Sequence, residues 1–148
     1  PEAIEAGKRV VEAGIKLSLM VILGLAGADG SDRHARETAR AINEIKPNML
    51  SALTLMLYRG SELLDQYEKG EFAPLSPQGI MLELHKIISL VELPPEGHCL
   101  FRSNHVSNYV QLAATLPKDK DRLLGQIAQA ADELGKWKDW DVYNNTRY

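Results

Sequence analysis

The sequence predicts an α/β fold built on parallel strands, and three observations support that prediction. Apolar stretches too short to cross a membrane occupy 15–25, 49–58 and 98–103, as expected for strands buried on both faces of a sheet. Helix-periodic segments alternate with these stretches, and no hairpin turn signal joins two of them. Such alternation indicates parallel strands with right-handed crossovers. About three strands make only part of a barrel or of a doubly wound sheet, so we predict a partial, TIM-like (β/α) half-barrel.

The composition is that of an ordinary globular protein. The 148 residues are 45% hydrophobic and 25% charged, which suffices for one domain with its own core. A net charge of −3 without any basic block argues against a nucleic-acid surface. Since no stretch has the length of a membrane span or the pattern of a signal peptide, we expect a cytoplasmic protein. The single cysteine, Cys99, excludes an internal disulfide and a cysteine-held cluster supplied by this chain alone.

The segment from Lys16 to Arg40 is predicted to form a βα unit around which the rest of the chain is arranged. Its apolar run ends in three glycines, Gly24, Gly27 and Gly30, and Ser31 is then predicted to cap a helix that reaches Ile45. Ligands of α/β folds collect at the carboxyl ends of such strands, so the loop 24–31 is a candidate anion cradle. It matches neither a Walker loop nor GxGxxG, and a flexible connection is the more common alternative. His34 is predicted to be a surface or helix-N-terminal residue rather than a ligand.

The remaining elements follow from caps, breakers and periodicity. Ser61 and Ser76 are predicted N-caps, the second followed by Pro77 at the first helical position. A helix is expected at 1–13, a loop or irregular turn at 104–112, and a last helix from Thr115 or Pro117 to 134. The chain begins at Pro1 inside a helical pattern with no preceding strand, which we take as a hint of a longer protein. The segment 135–148 is expected to be a C-terminal tail laid against the body or partly disordered.

A polar group at 102–105 follows the third predicted strand. Arg102 has the geometry to hold a carboxylate or phosphate through paired hydrogen bonds, and His105 can exchange a proton near neutral pH. Asn104 and Asn108 add amide hydrogen bonds. An alternative of equal weight is that Ser103 and Asn104 cap a turn while Arg102 pairs with a structural carboxylate. A metal site is not expected, since no carboxylate or second cysteine converges on His98 and His105.

Five segments together resemble a known enzyme family. They are VILGLAG, HARETARAINEIKP, RGSELLDQYEKGEF followed by SP, LFRSNHVSNY and TLPKDKDRLL. In this order they resemble the later part of the radical SAM enzymes, especially the bacterial group called Fe–S oxidoreductase or radical SAM domain protein, from about Glu5 to Ala131. The strand ending in ILGL is similar to the family's fifth-strand motif, whose backbone packs beside the adenine of S-adenosylmethionine. Leu53 to Leu57 would then form the sixth strand.

The resemblance implies a chain of two parts. Residues 1–134 would be the C-terminal half of a radical SAM barrel, and 135–148 a tail. The full-length parent would hold a [4Fe–4S] cluster and cleave S-adenosylmethionine reductively to a 5′-deoxyadenosyl radical that abstracts a substrate hydrogen. Members bind the cluster through CxxxCxxC, which this sequence lacks. We therefore expect the chain alone to carry no cofactor and no activity.

The resemblance also implies site residues. Cofactor-contacting positions would be Val21, Ile22, Leu23, Gly24, Leu53 and Leu55, and a substrate wall would be Arg102, Ser103, Asn104 and His105. No catalytic residue and no metal ligand is predicted, and the substrate is expected to be a small molecule. We expect Arg102 and Asn104 to lie near the strand ends at Gly24 and Leu57. Two alternatives stay open: a non-catalytic α/β module that binds an anionic ligand or partner through loop 24–31, and a phosphate-handling barrel fragment.

A half-barrel also predicts self-association. Its edge strand and its inner sheet face, expected to carry Leu19, Val21, Leu53 and Leu55, lack cover, and such surfaces invite pairing. A homodimer through the open sheet edge would provide that cover. The alternative is that the first helix or the tail from Trp137 to Tyr148 folds over the open face.

Overall fold

The computed structural model describes residues 2–137, and this part of the chain forms five helices and four strands. In chain order they are α1 Glu2–Glu12, β1 Ser18–Leu23, α2 Gly27–Ile45, β2 Met49–Thr54, α3 Glu62–Glu68, α4 Pro77–Leu90, β3 Cys99–Ser103, β4 Leu112–Leu116 and α5 Lys120–Leu134. The predicted α/β class is confirmed: a mixed, open sheet that is mostly parallel, as in a partial (β/α) barrel.

The sheet has the strand order β1-β2-β3-β4. Strands β1 and β2 run parallel from the pair Ser18–Met49 to the pair Leu23–Thr54. The parallel pairing of β2 with β3 is shorter and ends at Ser51 and Arg102. The three predicted strands are therefore parallel neighbours, and the helices between them provide the crossovers.

The fourth strand corrects the prediction of about three strands. β4 pairs antiparallel with β3 and ends beside a cis peptide bond between Leu116 and Pro117. The prediction had assigned this segment to a loop and to the start of the last helix, which instead begins at Lys120. Five residues of the sequence LAATL are a weak signal, because alanine has low strand propensity. Burial at alternate positions, Leu112, Ala114 and Leu116, provides the energy that holds this strand in place.

Helices cover one face of the sheet. Helix α4 packs between α2 and α5, and buried side chains from all four strands, such as Leu23, Leu50, Phe101 and Leu116, meet them in one core. Burying a side chain of this size stabilises the fold by roughly 1.5–3 kcal/mol. The predicted caps are confirmed, because Ser61 Oγ accepts the Leu64 N–H and Ser76 Oγ accepts the Gly79 N–H. No helix among residues 2–137 is both long enough and apolar enough to span a membrane.

The opposite face of the sheet is open. Its exposed apolar side chains include Met20, which is 74% exposed, and Ile22, Met49 and Leu100. Leu19 and Val21, which were predicted on this face, instead pack against the helix-covered core. The prediction was wrong here because an unbroken apolar run does not reveal which alternate residues face the helices. Strand β1 forms an outer edge of this open sheet.

Little of the predicted tail lies within the described residues. Gly135 and Lys136 follow α5, and the Trp137 ring meets the Tyr109 ring edge-on at a centroid distance of 6.3 Å. Residues 138–148 are outside the described part, so the prediction about the tail stays a prediction.

The homodimer also stays a prediction, and the open β1 edge gives it a test. We expect the chain, whose mass is 16.4 kDa, to double its mass in solution as its concentration rises, because β1 has unpaired backbone groups on its outer side. Size-exclusion chromatography with light scattering measures this. Met20→Lys, which adds a charge beside the edge, should weaken the dimer, while Leu82→Lys on the exposed side of α4 should not. A constant monomer mass at all concentrations would contradict the prediction.

Candidate functional site

A cleft of about 160 Å³ lies at the carboxyl ends of β1 and β2. Ligands of parallel α/β folds bind at this edge of the sheet, because the connecting loops open there. The cleft is mainly apolar, with polar groups contributed by the loop after β3. Its lining residues are Ile22, Leu53, Thr54, Leu55, Met56, Tyr58, His105 and Ser107.

The cleft opens where backbone pairing between β2 and β3 stops. Beyond the last pair, the loop after β3 provides side chains in place of a strand. Asn108 Nδ2 donates to Ala52 O at 2.8 Å, and the Thr54 N–H donates to Ser107 Oγ at 3.1 Å. Thr54 Oγ1 also donates to Asn108 Oδ1 at 3.0 Å. These hydrogen bonds provide partners for the polar groups at the end of β2 and hold the loop against the cleft.

His105 is oriented by the same loop. Its Nδ1 lies 2.8 Å from Ser107 Oγ and accepts the Ser107 N–H at 3.2 Å. Because Nδ1 accepts a backbone hydrogen bond, the neutral ring carries its proton on Nε2. His105 thus lines the cleft with its Nδ1 held by Ser107, which leaves the Nε2–H as its free donor.

A buried carboxylate lies behind this edge of the sheet. Glu83 projects from α4, and its side chain is fully buried. It accepts three hydrogen bonds: from the Gly24 N–H at 2.8 Å, from Ser31 Oγ at 2.5 Å, and from His34 Nδ1 at 3.1 Å. We call these four residues the Glu83 network. It joins the end of β1 to the first turns of α2 and to α4.

The network keeps the carboxylate charged. Burial by itself raises the pKa of Glu83, but the hydrogen bonds from His34, Ser31 and Gly24 together lower it below its ordinary value of 4.5. Since a carboxylate only accepts, the ring of His34 carries a proton on Nδ1. His34 was predicted as a surface or helix-N-terminal residue; it lies near the N-terminal end of α2 and is partly buried against this carboxylate.

The glycine loop differs from its prediction. Helix α2 begins at Gly27 rather than after Ser31, so Ser31 is not the N-cap and instead donates to Glu83. Gly24 has φ +79°, and a Cβ there would lie 2.8 Å from Ile80 Cδ1. Gly27 has φ +67°, and a Cβ would lie 2.9 Å from the Ala73 carbonyl oxygen. Both positions therefore require glycine for steric and conformational reasons.

The same contacts leave the loop poorly suited to an anion. The Gly24 N–H donates to Glu83, the Gly27 N–H to Gly24 O, and the Ala28 N–H to Ala73 O. A buried negative charge behind the loop also repels an anion.

The predicted cofactor residues divide between the two faces of the sheet. Ile22, Leu53 and Leu55 line the cleft. Val21 packs toward the helices, Leu23 is fully buried there, and the buried Gly24 has its N–H bound to Glu83. Their role in cofactor binding stays a prediction.

The predicted substrate residues are also separated. His105 lines the cleft, but Arg102 is exposed on the open face, where its Nη1 donates to Phe101 O at 2.7 Å. Asn104 is exposed outside the cleft lining, and Ser103 is fully buried on the helix side. Gly24 and Leu57 are buried and are not part of the cleft lining, and the predicted polar concavity shared with Arg102 and Asn104 stays a prediction. The substrate roles of 102–105 stay predictions.

The prediction missed Glu83, Thr54 and Ser107. A signal for Glu83 was present, because it lies three residues after Ile80 and four before Ile87, within the apolar stripe of α4. A carboxylate in such a stripe needs buried donors. Thr54 and Ser107 carried no comparable signal.

The described residues do not fit an iron–sulfur cluster. Within residues 2–137, no three His, Cys, Asp or Glu side chains come together as metal ligands. Cys99 is buried in the core, and burial raises the pKa of its thiol to about 11, which disfavours the thiolate that iron requires. S-adenosylmethionine fits in part: the apolar lining suits a flat ring, but the cleft is smaller than the roughly 300–1,000 Å³ typical of a complete ligand site.

Comparison with known proteins shows a likeness of fold. Neither a protein-family model nor a curated protein sequence matched the chain. Among solved structures, the chain is similar to an N-terminally truncated Elp3 from the archaeon Methanocaldococcus infernus, with a TM-score of 0.58 and 16% sequence identity. The likeness covers 90% of this chain and 30% of the Elp3 chain. The chain therefore shares the fold of a segment that makes up less than a third of Elp3.

Glu83→Gln should destabilise the protein. The amide has a single acceptor oxygen, so it cannot accept from the Gly24 N–H, Ser31 Oγ and His34 Nδ1 together as the carboxylate does. We expect the free energy of unfolding in urea to fall by about 2–4 kcal/mol. Glu133→Gln, the same change at an exposed position of α5, is the control and should have little effect. Equal, small losses for both variants would contradict the stabilising role of the network.

The network also predicts a pH dependence. Because the pKa of Glu83 is lowered in the folded state, the unfolded chain binds more protons once the pH falls below about 4.5, and stability decreases there. Two other carboxyl groups also have lowered pKa values: Asp119, which accepts the Thr115 N–H, and Glu37, which accepts from Arg40. Both are present in wild type and in Glu83→Gln, so they affect the acid stability of the two proteins equally. The stability gap between the two proteins should therefore narrow in acid. A gap that is the same at neutral pH and below pH 4 would contradict this.

Proposed function

We propose that this chain is part of a radical SAM enzyme and forms one wall of its cofactor and substrate site. The observation that carries the proposal is the cleft at the carboxyl ends of β1 and β2. It is lined by Ile22, Leu53 and Leu55, residues that the sequence resemblance associates with the cofactor. The fold likeness to Elp3, itself a radical SAM-family protein, supports the same assignment across most of the chain.

The chain's own residues would bind and shield the cofactor. In this family, a [4Fe–4S] cluster with S-adenosylmethionine supplies a 5′-deoxyadenosyl radical that abstracts hydrogen from a substrate. Ile22, Leu53 and Leu55 offer apolar contact to a flat ring and exclude water from it. The cluster's thiolates must come from outside these 148 residues, because Cys99 is the one cysteine in the sequence and lies in the core.

The polar side of the cleft would contact a small-molecule substrate or the cofactor's polar groups. His105 presents an N–H donor that Ser107 orients, and Ser107 is in turn fixed to β2 through Thr54. Arg102 lies on the open sheet face, which would be the inner face of a complete barrel. A guanidinium there would hold an anionic substrate group. Reductive chemistry of this kind suits the cytoplasm, where we place the protein.

The alternative of an anion-binding module is less well supported. It requires free N–H groups in loop 24–31, but those of Gly24, Gly27 and Ala28 already donate within the protein. The Glu83 carboxylate adds a negative charge behind the loop. A phosphate-handling fragment faces the same objection.

The test begins with the coding sequence upstream of Pro1. We expect it to encode a CxxxCxxC motif, and the complete protein, reconstituted anaerobically with iron and sulfide, to convert S-adenosylmethionine to 5′-deoxyadenosine. Ile22→Glu and Leu53→Glu should each reduce 5′-deoxyadenosine formation at least tenfold, which is about 1.4 kcal/mol, because a charge enters the apolar wall. Leu82→Glu, at an exposed apolar position of α4, is the control.

Two results would contradict the proposal. One is an upstream sequence without the cysteine motif. The other is a complete, cluster-loaded protein in which the cleft variants and the control form 5′-deoxyadenosine equally fast.

A further inference from the structure

A second and larger cavity, of about 490 Å³, lies on the open face near the amino ends of β2 and β3. It is lined by Lys16, Asn48, Met49, His98, Leu100 and Thr115. The sheet register explains its floor, because Met49 lies beside Leu100 and Leu100 beside Thr115 in adjacent strands. This cavity shares no residue with the cleft at the carboxyl ends.

The one charged side chain that lines this cavity is a cation. Lys16 lines it together with the imidazole of His98, and no acidic side chain does. Across residues 2–137, the ion pairs and hydrogen bonds of the structure involve neither the Lys16 ammonium nor the His98 ring. A cation without a counter-charge in a cleft attracts an anion.

The remaining lining adds a polar donor and an apolar floor. Asn48 Oδ1 accepts the Leu17 N–H at 2.9 Å, which fixes the amide and leaves its NH₂ group as a donor. Met49 is 37% exposed and Leu100 is 41% exposed, so apolar surface remains accessible. The volume is within the range of roughly 300–1,000 Å³ found for small-molecule sites.

We propose that this cavity binds a small organic anion, with a carboxylate or phosphate group on an apolar body. Lys16, His98 and the Asn48 amide hold the anionic group, and Met49 and Leu100 contact the apolar body. A cation supplies a charge-assisted hydrogen bond, and the apolar floor favours an anion that carries hydrocarbon over inorganic phosphate. This site shares no residue with the cleft and goes beyond the proposed radical SAM role.

The methionines provide the measurement. In protein labelled with ¹³C at the methionine methyl groups, Met49 reports on the cavity and the fully buried Met81 reports on the intact core. Titration with phenylbutyrate should shift the Met49 methyl signal saturably and leave Met81 unchanged. Phenyl phosphate should act similarly if charge is the shared requirement, and neutral phenylbutanol should bind at least about fivefold more weakly.

Variants test the assigned residues. Lys16→Gln and His98→Gln should each weaken phenylbutyrate binding by about threefold to tenfold, while Lys69→Gln, far along the chain at the end of α3, should not. An unchanged Met81 signal shows that each variant is folded. The proposal is overturned if Met49 does not respond, if phenylbutanol binds as well as phenylbutyrate, or if both cavity variants bind like wild type. If a second copy of the chain covered the open face, the Met49 signal would not respond to phenylbutyrate.

Discussion

The buried carboxylate of Glu83 is the interaction on which the geometry of the carboxyl edge depends. An ionised carboxylate that loses water costs several kcal/mol unless donors replace that water. Its donors come from the end of β1 and from the first turns of α2, through Gly24, Ser31 and His34. Helix α4 therefore cannot rotate against the sheet without leaving the charge unpaired. This constraint holds the end of β1 where it forms one side of the cleft.

The parts of the fold that local chemistry determines were predictable from the sequence. Ser61 and Ser76 cap α3 and α4 as predicted, because capping needs only a side chain and a nearby N–H. The start of α2 was not predictable in this way. Ser31 has the chemistry of an N-cap, but its hydroxyl donates to the buried carboxylate of Glu83, which is distant in sequence. Helix α2 begins at Gly27, four residues before Ser31. β4 was missed because it depends on pairing with β3 rather than on its own propensity.

The location of the cleft was easier to predict from the sequence than the residues that line it. The same cleft is lined by four residues that were predicted as site residues: Ile22, Leu53, Leu55 and His105. Choosing between adjacent residues requires knowing which alternate side chains face the helices. An unbroken apolar run conceals that alternation, so Leu23, which is buried against the helices, was grouped with Ile22, which is not. The Glu83 network required contacts across distant segments, which a single sequence does not reveal.

Under the proposed function, the cleft at the carboxyl ends of β1 and β2 contacts S-adenosylmethionine in a complete radical SAM barrel. A crystal structure of the complete protein with bound S-adenosylmethionine tests it most directly. The adenine ring should lie within about 4 Å of the side chains of Ile22, Leu53 or Leu55. The free edge of β1 should also pair with another parallel strand. Adenine bound elsewhere, with this cleft facing solvent and β1 unpaired, would contradict the proposed function.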